Sequence, residues 1–89
     1  MIISISYDLR TPGQNYNELY KRIKSSIDWC HAMESLWFIS TDESVYTWSE
    51  RLKGCMDNND YLFVVDITGQ TRQGWMQQEV WDWLNKYNN

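Results

Sequence analysis

Ile3-Ser4-Ile5-Ser6-Tyr7-Asp8 alternates apolar and polar residues, and Arg10-Thr11-Pro12-Gly13 cuts it off. A period-2 pattern closed by turn residues reads as a β-strand. Successive strand side chains point to opposite faces. Ile3, Ile5 and Tyr7 therefore share one face, and Ser4, Ser6 and Asp8 the other. Asp8 ends a serine-lined face just before a turn, a place where a metal ion or a substrate could sit.

Outward from this strand, Asn15 reads as a helix N-cap, with Glu18 completing a capping box. Tyr16, Leu19, Tyr20, Ile23 and Ile27 fall on one helical face, which predicts a helix over about 16–27. Strand character follows over 29–41, where Trp37, Phe38 and Ile39 favour β structure and Glu34-Ser35 bends the segment into two short strands. Thr41 or Asp42 is expected to cap a second helix near 43–54. Its apolar stripe is Val45, Trp48, Leu52 and Cys55, and Gly54 suits left-handed backbone at its end. The polar turn Asp57-Asn58-Asn59-Asp60 leads into Tyr61-Leu62-Phe63-Val64-Val65-Asp66-Ile67. This near-continuous apolar run predicts burial on both faces, and so a central or covered strand. After a loop over 68–74, Val80, Trp83, Leu84 and Tyr87 predict a C-terminal helix over about 75–87.

That order implies an α+β fold: one domain over 1–89, a ferredoxin-like βαββαβ sandwich with an additional C-terminal helix. In this arrangement the first and last strands are antiparallel neighbours, which brings Asp8 close to Asp60. Two helices cover one sheet face. The other face falls to the C-terminal helix, to a second copy of the chain, or to both, which is the physical case for a homodimer.

The 89 residues include six Trp, six Tyr and two Phe, large enough side chains to build one core without staples. Cys30 and Cys55 stand alone, without metal-ligand spacing, and read as packing residues. No apolar run approaches the ~20 residues of a membrane span, and no signal-peptide pattern is present. The expectation is a reduced, soluble, cytoplasmic domain. A net charge of −4 gives no general footprint for RNA or DNA, whose non-specific affinity rests on cations replacing counterions. The one basic cluster, Lys21, Arg22 and Lys24, reads as a solvated helix face.

Ser6-Tyr7-Asp8, Glu34-Ser35-Leu36-Trp37-Phe38 and Asp60-Tyr61-Leu62-Phe63-Val64 together resemble the CRISPR-associated protein two family. The virulence-associated protein D toxins share that architecture. A nearer likeness is to small SinR-family proteins, through Ser6 to Leu9, Pro12 to Gln14, Tyr16 and Leu19, then Asn59-Asp60, Gly74-Trp75 and Trp81 to Leu84. The resemblance implies a small dimer and a metal-dependent endonuclease or endoribonuclease. Asp8 would be the catalytic residue, holding Mg²⁺ or Mn²⁺. The chain departs from the pattern at Met33, where the CRISPR-associated family carries glutamine, in its acidic balance, and in its Trp-rich tail.

The candidate residues follow from both readings. Asp8, Asp60 and Asp66 are the metal-ligand candidates, since hard cations take carboxylate oxygens and water. Asp8 equally suits a turn-capping acceptor. Asp66 shares a strand face with Leu62 and Val64 and is expected to be partly buried beside Arg10 or Arg72. These two arginines are the phosphate-binding candidates, and the loop over 68–74 leads into a helix N-terminus, which attracts anions. His31, the only histidine, has no nucleophile placed beside it. Trp75, Trp81 and Trp83 cannot all face inward on one short helix, which marks this segment as an interface candidate. The other function class is a non-catalytic dimeric module binding a protein or a nucleotide, a regulator or inhibitor from a phage or mobile element.

Overall fold

The computed structural model describes residues 1–11, 13 and 15–87. Its elements run β1 (Ile2–Asp8), α1 (Asn17–Ile23), β2 (Asp28–Met33), β3 (Leu36–Ser40), α2 (Val45–Lys53), β4 (Tyr61–Asp66) and α3 (Gln78–Lys86). The four strands form one antiparallel sheet in the order β2-β3-β1-β4.

The alternation in β1 sorts the core into two layers. Ile3, Ile5 and Tyr7 join Trp37 and Ile39 under α1 and α2, against Leu19, Ile23, Trp48 and Leu52. Ile2 and Phe38 point to the opposite face, where α3 supplies Val80, Trp83 and Leu84. Thus α3 covers the β2–β3 side of the second face. On the β4 side of that face Tyr61 and Phe63 are 65% and 64% exposed.

Several expectations need correction. The apolar run of β4 belongs to an edge strand rather than a central one; β1 and β3 occupy the centre, because they alone carry partners on both sides. The strand also stops at Asp66. α1 ends at Ile23, not Ile27, because the Ser25 and Ser26 hydroxyls donate to the Arg22 and Ile23 carbonyls and take over the last turn. Ile27 is then 68% exposed, and its N–H donates to the Ser40 carbonyl as β2 begins. No capping box forms: the N-cap of α1 is Tyr16, and Glu18 pairs with Arg22.

Helix α2 is capped by Ser44, whose hydroxyl accepts from the Thr47 N–H, rather than by Thr41 or Asp42. Thr41 is buried, and its Oγ1 accepts from the Trp48 indole N–H at 2.9 Å. Gly54 is right-handed at φ −62°, so the left-handed expectation fails. Its use is close approach: an added Cβ would lie 3.2 Å from Nη1 of Arg22, which donates to the Arg51 carbonyl and ties α1 to α2. α3 begins only at Gln78, which leaves Trp75 outside the helix and 99% exposed.

Candidate functional site

The β1–β4 register sets Asp8 opposite Tyr61 and so brings Asp8, Arg10 and Asp60 to one end of the sheet. Asp60 is consumed by its own chain. Oδ1 accepts from the Arg10 backbone N–H at 2.8 Å and the Tyr16 hydroxyl at 2.9 Å, and Oδ2 accepts from the Asp57 N–H at 2.8 Å. Burial pushes this carboxyl upward, but the N–H groups of Arg10 and Asp57 and the Tyr16 hydroxyl outweigh it and hold it below its ordinary value. The carboxylate therefore clips the β1–α1 connection to the turn that enters β4. Sequence reasoning missed Tyr16 and Asp57 in this clip; only the Asp57-to-Asp60 spacing of a side-chain-capped turn hinted at it.

Asp8 stays at the surface, its side chain 62% exposed, and its one ion-pair partner among the described residues is Arg10 at 3.2 Å. The Arg10 guanidinium also lies 5.5 Å from the Tyr61 ring centroid. Asp66 lies at the other end of β4, opposite Ile3, about 17 Å of strand from Tyr61. It is exposed rather than partly buried, and its partner is not an arginine: Thr68 donates its N–H to Oδ1 and draws the carboxyl below its usual value. Arg72 belongs to the loop before α3, where its Nε donates to the Gln70 carbonyl.

This donor set does not fit a divalent ion within one chain. Asp60 has its lone pairs engaged, Asp66 is remote, and Asp8 is already paired with a cation. Among the described residues no group of three His, Cys, Asp or Glu side chains is placed to hold a metal.

His31 stacks on Trp37 with ring centroids 3.8 Å apart, and its Nε2 lies 3.2 Å from the Glu34 carbonyl. A carbonyl only accepts, so that nitrogen is the protonated one. Trp37 in turn donates its buried indole N–H to the Tyr7 hydroxyl at 2.9 Å, and burial pushes the Tyr7 phenol upward. The basic cluster is divided in its work: Arg22 bridges the helices, while Lys24 caps the Trp29 ring at 5.0 Å.

Of the three tail tryptophans, Trp83 is buried in this chain's own core and Trp81 is half-buried, so Trp75 alone is fully presented. Cys30 and Cys55 are free and half-buried. A cavity of about 280 Å³ opens between the sheet and the 70–76 loop, with Leu36, Phe38, Ile67 and Leu84 among its walls and Arg72 beside them. No helix of the described residues is long and apolar enough to cross a membrane.

No protein-family model matches the chain, and comparison with curated proteins and with solved structures likewise finds no match.

Proposed function

We propose that this chain is a ferredoxin-like, homodimeric, non-catalytic module that binds a protein partner. The carrying observation is the uneven cover of the sheet. α3 seals the β2–β3 side of its second face, while Tyr61 and Phe63 stand exposed on β4. Exposed aromatics on a rigid sheet, together with Trp75, are the residue types that dominate protein interfaces. The net charge of −4 favours a protein over a nucleic acid, since phosphate binding draws on a surplus of Lys and Arg. The ferredoxin-like reading is supported by the element order β1-α1-β2-β3-α2-β4 with sheet order β2-β3-β1-β4.

The SinR and CRISPR-associated resemblance supports a second reading, a Mg²⁺- or Mn²⁺-dependent nuclease. Its specific observation is the exposed Asp8–Arg10 pair closing a serine-lined face. That reading requires the second copy to supply a second Asp8, because one chain lacks the oxygen ligands. One experiment separates the two. Light scattering is combined with RNA and DNA cleavage assays in Mg²⁺ and in Mn²⁺, for wild type and Asp8→Asn. A dimer with no cleavage in either metal is the expected outcome. Wild-type cleavage abolished by Asp8→Asn would replace the binding module with the nuclease, and a monomer at micromolar concentration would remove the dimer.

A further inference from the structure

Every open sheet has two edges, and this one treats them differently. The β2 edge is guarded. A register shift between His31 and Met33 interrupts its ladder, Lys24 lies over Trp29, and Asp28 is engaged by Lys86 and the Tyr87 hydroxyl. Bulges and lysines are devices that stop a strand from recruiting another. The β4 edge has none of them: Tyr61 to Asp66 contains no Lys, Pro or Gly, and its register against β1 is unbroken.

Hydrogen-bond parity tells which groups that edge offers. In an antiparallel ladder, residues alternate between bonding one neighbour and facing away. The Ile67 N–H donates to the Ile2 carbonyl, so Phe63 and Val65 also turn their backbone groups toward β1. Leu62, Val64 and Asp66 turn theirs outward, and among the described residues none of these backbone groups bonds another segment.

We infer that this edge pairs with its own copy, β4 against β4 antiparallel, with Val64 on the two-fold axis, to make a continuous eight-stranded sheet. This inference rests on the homodimer proposed above and specifies its geometry. Parity restricts the hydrogen-bonded pairs to positions 62, 64 and 66, and charge then selects among the registers. An axis at Asp66 would set two carboxylates face to face. An axis at Phe63 would oppose Asp60 to Asp66 of the partner subunit, and like charges directly opposite are destabilising. An axis at Leu62 would run pairing into the Asp57–Asp60 turn, where the Asp60 N–H already donates to the Asp57 carbonyl. An axis at Val65 would make the two Asp66 carboxylates diagonal neighbours and set Leu62 against the partner's Thr68, whose N–H already donates to its own chain's Asp66. The axis at Val64 opposes no two acids and pairs all three outward residues within the strand. It sets Leu62 against the partner's Asp66, Phe63 against the partner's Val65 and Tyr61 against the partner's Ile67. Aromatic against β-branched is a favoured cross-strand pair. The strand is self-complementary, which is why the occupant is a second copy.

The register carries a consequence for Asp8. It lies opposite Tyr61, three residues along from the axis and one strand further out. With a rise of ~3.4 Å per residue and ~4.8 Å between strands, the two Asp8 residues stand about 25 Å apart. They cannot share an ion.

The test uses the full chain with Cys30→Ala and Cys55→Ala, adding either Val64→Cys or Leu62→Cys. On the axis, the two 64 positions meet as a hydrogen-bonded pair with Cα atoms ~5.5 Å apart, within disulfide reach. A copper–phenanthroline oxidant should link most of the Val64→Cys chain into a dimer on a non-reducing gel and leave Leu62→Cys unlinked. In parallel, Phe63→Lys should halve the light-scattering mass with an unchanged circular dichroism spectrum, while Phe63→Tyr keeps the dimer. A dimer that links equally at 62 and 64, links at neither, or survives Phe63→Lys overturns the edge register and leaves the homodimer. A wild-type monomer overturns both.

Discussion

Replacing Asp60 with alanine should destabilise the fold far more than the same change at Asp8, although both acids sit at one end of the sheet. Asp60→Ala strands three donors: the Arg10 and Asp57 N–H groups and the Tyr16 hydroxyl. Hydrogen bonds to charged groups contribute about 1.5–3 kcal/mol each when buried, but this site is only half-buried, and water replaces part of each loss. Roughly 1 kcal/mol per bond gives a cost of about 3 kcal/mol, or a melting shift of roughly 12–24 °C for a domain of this size. Asp8→Ala removes one exposed ion pair and should lie within experimental error of wild type.

Urea denaturation followed by tryptophan fluorescence at pH 7 measures both. The pH dependence gives a second handle. The folded Asp60 carboxyl lies below its ordinary value. Its contribution is therefore complete above the unfolded value near ~3.9 and is lost as pH falls through the folded one. The gap between wild type and Asp60→Ala should be level from neutral pH to about 5 and close below about 4. An Asp60→Ala protein as stable as wild type, or an Asp8→Ala protein equally damaged, would refute the assignment of Asp60 as a clip.

Trp48→Phe removes the buried indole N–H bond to Thr41 and part of the packing under α2, and should cost about 2 kcal/mol by denaturant titration, whereas Trp75→Phe should cost nothing measurable. Ser44→Ala removes the α2 cap and should cost about 1 kcal/mol in the same titration, with Ser44→Asp restoring most of it.

The layers of this fold were legible because each face of a strand carries its own polarity. Ile3, Ile5 and Tyr7 do lie under the helices, and the Glu34-Ser35 break does divide β2 from β3. The edge position of β4 was not legible. An apolar run states that a strand dislikes water, not which neighbour covers it, and Tyr61 and Phe63 stay exposed rather than entering the core. The short α1 was hidden because Ile27 keeps the helical period, while two serines that end the helix leave no periodic signal. At the candidate site, the pairing of β1 with β4 correctly predicted Asp8 near Asp60, and parity placed Asp66 on the face of Leu62 and Val64. What the residue types could not say is that Asp60 is engaged by two backbone N–H groups and the Tyr16 hydroxyl. That follows from the path of the loops, not from any motif.

The measurement that bears most directly on the proposed self-paired, non-catalytic module is the distance between the two Asp8 positions in the proposed dimer. Dipolar EPR on Asp8→Cys, spin-labelled in the Cys30→Ala, Cys55→Ala chain, reads it without needing a substrate. Edge pairing at Val64 predicts about 25 Å between the two backbones, broadened by the label arms. A separation within about 8 Å, close enough for two carboxylates to share one hydrated ion, would contradict the account and restore Asp8 as a metal ligand.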